Sequence, residues 1–183
     1  MSFDKNYSDK LMSVFMHNLY SLSDSDLIIL RRNFAKYQDD ASLTAKVVFY
    51  KVVPREISEK KLYIWYFCAC LYAYQKDKGY YKGGFSIGLA VSKISEAQNE
   101  FVYSLFDKLL REDVTEDSLI LYKLGKLIKQ LNNLGIFVDV LNLLNDLLLW
   151  SSTNAERIVP KRWAFDAYAK NIKNDIEGEV VNG

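Results

Sequence analysis

The residues able to do chemistry are few. One histidine, His17, and two cysteines, Cys68 and Cys70, are the whole stock of imidazole and thiol. Three such groups cannot fill a tetrahedral zinc site unless carboxylates or a second chain complete it. A Ser-His-Asp or Cys-His machine would have to use His17. That residue stands in Ser13-Val14-Phe15-Met16-His17 and reads as an ordinary helix position. Cys68 and Cys70 lie two apart in an apolar, helix-like run, so they point to different sides and do not easily bridge. Buried reduced thiols are expected, which suits a reducing cytoplasm. Gly83-Gly84 is too short a glycine run for a phosphate cradle, and no Walker loop is present. Acids are scattered and no metal-ligand spacing stands out. The reading is therefore of no catalytic residue, no metal, no cofactor and no small-molecule substrate.

What remains is charge. The 183 residues carry 24 basic and 23 acidic side chains, which excludes a globally cationic nucleic-acid binder but not a local patch. Residues 31–82 hold eleven basic side chains against five acids, and residues 151–173 hold five against two. Two such blocks can attract phosphates, although charge alone favours an ordinary solvated face. The segment 115–133 says more. At 100° per residue, Ile120, Leu121, Leu124, Leu127, Ile128 and Leu131 share an arc of roughly 120°. Lys123, Lys126 and Lys129 fall opposite, with no acid among them, as a row able to track a phosphate backbone. Aromatics are dense, at 14%. Most recur at helical spacing and belong to a core. Tyr80 and Tyr81, beside Lys78 and Lys82, are the exceptions that could stack on bases.

The elements that position these groups read as helices. Half the chain is hydrophobic, with two prolines and eight glycines. No stretch alternates with period two, so the fold class is all-α with essentially no strand. Helices are expected over Asp9–Tyr20, from a Ser23 cap to near Tyr37, and from Asp39-Asp40 to Val53. Others run from a Ser58 cap to Lys76, from Ser86 over a short span, and from a Ser95–Gln98 capping box to Arg111. The last three start at Thr115, at Val138 and at a Thr153–Glu156 capping box, the final one kinked at Pro160. The apolar run Leu62–Tyr74 has 13 residues, short of the roughly 20 that span a bilayer. The N-terminus shows no signal-peptide apolar region, and a cytoplasmic location with no membrane contact is expected.

The order of motifs resembles the CasB family, the small subunit of the type I-E CRISPR surveillance complex Cascade, over about Leu27 to Tyr168. The resemblance is carried by Leu30-Arg31-Arg32, Phe49-Tyr50-Lys51-Val52-Val53-Pro54, Cys70-Leu71-Tyr72-Ala73 and Phe85-Ser86-Ile87-Gly88-Leu89-Ala90. It continues through Phe106, Leu109-Leu110, Leu121–Ile128, Asp139, Leu143-Leu144, Asp146-Leu147, Trp150 and Lys161-Arg162-Trp163-Ala164. Three positions depart from it: Leu105 and Tyr122 where the family has arginine, and Val140 where it has tryptophan.

The resemblance implies two small helical bundles without catalytic activity. They are expected over 1–112, including a loop at 76–85, and over 113–173, with a frayed acidic tail at 174–183. It implies as partners the backbone and large subunits of Cascade, a second copy of the chain, guide RNA and target DNA. The basic surface would stabilise the guide–target heteroduplex and the displaced strand without reading sequence. Arg31, Arg32, Lys60, Lys61, Lys82, Lys123, Lys126, Lys161 and Arg162 are the expected phosphate contacts. The alternative is a helical protein–protein scaffold module in which the lysines only confer solubility.

Overall fold

A computed structural model describes residues 5–36, 41–78, 83–94, 99–112, 119–152 and 158–179. Among them are nine α-helices: α1 (Lys5–Tyr20), α2 (Asp24–Arg31), α3 (Leu43–Val52), α4 (Leu62–Asp77), α5 (Ile87–Val91), α6 (Glu100–Leu110), α7 (Leu119–Asn133), α8 (Val140–Trp150) and α9 (Ile158–Glu179). No strand occurs among the described residues; one isolated parallel bridge joins Phe85 to Val138. The all-α expectation holds.

Local chemistry starts several helices where the sequence places them. The Ser23 hydroxyl accepts from the Asp26 N–H at 3.2 Å, and the Ser86 hydroxyl from the Leu89 N–H at 3.3 Å. α3 begins at Ser42, whose hydroxyl accepts from the Ala45 N–H. Asp139 caps α8 by accepting from the Asn142 N–H at 2.7 Å. These side chains satisfy amides that have no partner within the helix. Gly135, at φ +73°, follows the end of α7 in a conformation that a side chain would strain.

Other boundaries move. α2 stops at Arg31, not near Tyr37, because burying Phe34 outweighs continuing the helix. Phe34 stacks on Tyr74 at 4.8 Å, the Asn33 amide donates back to the Ile29 carbonyl, and Ala35 turns to φ +58°. Ser58 forms no side-chain cap; a 3-10 turn, Glu59–Lys61, leads into α4 instead. Pro160 is the third residue of an unbroken α9 and causes no kink. In the first turn its missing N–H costs no hydrogen bond. α9 continues beyond Lys173, to Glu179. Asp39-Asp40, the two capping boxes at 95–98 and 153–156, Thr115 and the Tyr80-Tyr81 pair fall outside the described residues.

α4 is buried on every side, as a helix apolar all round must be. α2 packs on it from earlier in the chain, and α7 and α8 from later. Its two cysteines are buried and unpaired. Burial pushes both thiols up, Cys70 to about 12, so they are protonated at neutral pH. Near its end, buried Gln75 closes a two-way clamp on Val138, donating to its carbonyl at 2.8 Å and accepting from its amide at 2.9 Å. Across the molecule α5 lies directly on α9. A Cβ on Gly88 would stand 2.3 Å from the Trp163 carbonyl oxygen, so only glycine allows this crossing.

Candidate nucleic-acid interface

The nine expected phosphate contacts separate by what stands next to each. Arg31 pairs with Asp77, Lys123 with Glu112, and Arg162 with Asp146. Arg32 is exposed at the end of α2, Lys60 on the 3-10 turn, and Lys161 on the first turns of α9; none of these three has a carboxylate within ion-pair distance among the described residues. Lys61 is half-buried, and burial lowers its pKa. Lys82 lies outside the described residues. Lys126 is exposed on α7, its ammonium 4.3 Å from the centre of the Tyr122 ring.

The α7 arc is realised. Ile120, Leu121, Leu124, Leu127, Ile128 and Leu131 are buried, while Lys126 is exposed and Lys123 and Lys129 are part-exposed. The fold then adds what a helical wheel cannot show. Gly125 lets the turn after α2 approach α7: a Cβ there would lie 2.5 Å from the Cβ of Ala35. That contact carries Phe34 and Lys36 to the lysine row. The Lys129 ammonium lies 5.7 Å from the centre of the Phe34 ring. Phe34 stacks on Tyr74, and the Lys78 ammonium lies 5.4 Å from the Tyr74 ring. Each ring of the pair thus has an ammonium beside it.

Lys36 completes the group. Burial pushes the Lys129 pKa down, and repulsion from Lys36 pushes the same way, against the opposing influence of Tyr122. Among the described residues no carboxylate lies within ion-pair distance of Lys36, Lys78, Lys126 or Lys129. A ring holds an ammonium in place without neutralising it, so Lys78, Lys126 and Lys129 keep their fields for a ligand. Such a surface suits a polyanion. Among the described residues no group of three His, Cys, Asp or Glu side chains could hold a metal ion. No described helix is long and apolar enough to cross a membrane.

Lys36 and Lys78 were not singled out by sequence reasoning, although both lie in the first basic block. Their signal was tertiary: a small residue on α7, Gly125, opposite a turn that sequence read as helix. The Lys161-Arg162-Trp163-Ala164 motif is partly internal. Asp146, 1% exposed, accepts from Arg162 and from the Trp163 indole N–H, the latter at 2.6 Å. Trp163 meets Trp150 edge-on at 5.2 Å.

This architecture is shared with known proteins. The family described as CRISPR-associated protein Cse2 matches residues 27–168. The solved structure of M. ruber CasB is similar, with a TM-score of 0.62 and 19% identity, over 90% of this chain and 96% of that one. No curated protein matches in sequence. With most of its length matched to one family, the chain belongs to the Cse2 family, that of the small CasB subunit of type I-E Cascade.

Proposed function

We propose that this Cascade subunit is non-enzymatic and holds nucleic acid through its backbone phosphates, stabilising the guide–target heteroduplex and the displaced strand in antiviral defence. The carrying observation is the group Lys36, Lys78, Lys126 and Lys129, gathered from three parts of the chain, with no carboxylate within ion-pair distance of any of the four among the described residues. Arg32, Lys60 and Lys161 extend the cationic surface, and Lys61 and Lys82 remain expected contacts. Arg31, Lys123 and Arg162 support it as paired residues that keep part of their donor capacity for phosphate. Its partners are the backbone and large subunits, a second copy of the chain, guide RNA and target DNA, in the cytoplasm. Sequence is read by guide pairing, and the protein contributes charge.

The test is DNA retention by the assembled complex across a salt series, with the four lysines changed to alanine singly and together. Affinity should fall equally on unrelated target sequences. The slope of log affinity against log salt should flatten by about 0.7–0.9 per lost contact. An unchanged slope would remove the α7 surface from the interface.

A scaffold reading has one observation in its favour. Leu43, Val47 and Tyr50 stand exposed at helical spacing on α3, a stripe that fits a protein surface. Polar substitution there should weaken assembly and leave the salt slope unchanged.

A further inference from the structure

Phe165 is the most exposed aromatic side chain among the described residues, at 71%. It makes no ring contact within the described fold. A phenylalanine facing water forgoes the free energy of burial, so its surroundings matter. At 100° per residue, Ile158, Lys161 and Phe165 share an arc of about 60° on α9. That arc faces away from α5, which meets the Trp163 and Asp166 side of the helix.

The charges around this arc are one-sided. Asp166 accepts from the Ser86 hydroxyl at 3.2 Å and belongs to the α5 side. Asp146 is enclosed by Arg162 and Trp163, and Asp107 accepts from the Tyr168 hydroxyl at 2.6 Å. Among the described residues, these three acids near α9 are thus turned inward and occupied. Lys161, one turn before Phe165, faces outward without a carboxylate among the described residues. An aromatic face one turn from an unneutralised ammonium matches the alternation of base and phosphate along a single strand. An apolar protein surface would leave that ammonium uncompensated.

We propose that the outer face of α9 is a single-strand site, in which Phe165 stacks on one unpaired nucleobase and Lys161 takes the adjoining phosphate. This rests on the nucleic-acid reading above and adds to it a ligand class, the unpaired base, that backbone charge alone does not select. The base stacks because every nucleobase has a π-face, so no sequence preference is expected.

The test uses the full chain at low salt with a thymidine oligonucleotide carrying one 5-iodouracil. Irradiation should link the base to Phe165, as read by mass spectrometry of the peptides. Phe165→Leu, which keeps apolar bulk, should weaken single-strand binding at least about fivefold, and Phe165→Trp should restore it. Duplex of the same length should bind Phe165→Leu and the unaltered chain alike. A cross-link elsewhere only, equal losses on duplex and single strand, or no oligonucleotide binding would overturn the proposal. So would a Phe165→Leu defect confined to assembly with Cascade subunits, which would assign the face to a protein. The α7 lysine variants separate the two readings. If they flatten the salt slope while Phe165→Leu changes nothing, backbone binding stands and the stacking site falls.

Discussion

The positive charge of α9 and that of α7 are held in place by opposite means. Arg162 leans on a carboxylate that is itself 1% exposed and shared with Trp163. Lys126 and Lys129 lean on the rings of Tyr122 and Phe34 and meet no acid among the described residues. The first arrangement spends much of the cation's field inside the protein and fixes two helices. The second fixes only the side chain and leaves its field for a ligand. A count of lysines and arginines along the sequence does not show this division; the neighbour decides what each cation does.

Breaking the α9 pair should have the largest effect. Arg162→Ala leaves the Asp146 carboxylate buried with only the indole for a partner. Stability should drop by about 2–3 kcal/mol, below the full cost of orphaning a buried charge because Arg162 is 42% exposed. In thermal melts that is a fall of about 5–10 °C. Adding Asp146→Asn should recover part of it, and a harmless Arg162→Ala would erase the contrast between α9 and α7. Acidity sharpens the same point. Burial raises the Asp146 pKa despite the two hydrogen bonds. A group raised on folding stabilises most below the ordinary carboxylate range and loses that contribution as pH rises through its folded value. The unaltered protein should therefore lose stability relative to Asp146→Asn as pH rises across that window.

A smaller effect is expected at Lys123, whose pairing with Glu112 is about one-third exposed on both sides. Lys123→Ala should cost less than about 1 kcal/mol in urea unfolding, and less again at high salt. The smallest change in stability belongs to the residues given the largest binding role. Lys36→Ala, Lys78→Ala and Lys126→Ala should each stay within about 0.5 kcal/mol by the same measurement. A loss of 2 kcal/mol or more at any of these three would make that lysine structural, on the scale set by Arg162.

Much of the fold was legible because its signals are local. Ser23 and Ser86 cap helices with their own hydroxyls, and six apolar residues on one arc of α7 all become buried. Ser42 and Asp139 are equally local caps, overlooked because Asp39-Asp40 and Val138 drew the boundary a few residues away. The end of α2 was not legible, since nothing nearby in sequence shows that Tyr74 will meet Phe34 or that Gly125 will meet Ala35. The site followed the same division. Lys126 and Lys129 could be placed on one face from spacing, whereas Lys36 and Lys78 join them only through tertiary contacts, Ala35 on Gly125 and Phe34 on Tyr74. Pairing was invisible for a related reason: Arg31 and Asp77 are 46 positions apart, and Arg162 meets Asp146 only when α9 packs on α8.

The two thiols of α4 bear on how any of this can be watched. They are the chain's only cysteines, and both sit in the interior with the sulfur protonated. A maleimide probe should leave the folded native chain unlabelled. A cysteine introduced beside Lys126 or at Phe165 would then be the single reactive handle, so a dye could report strand arrival at either surface without first stripping sulfur from the centre of the molecule.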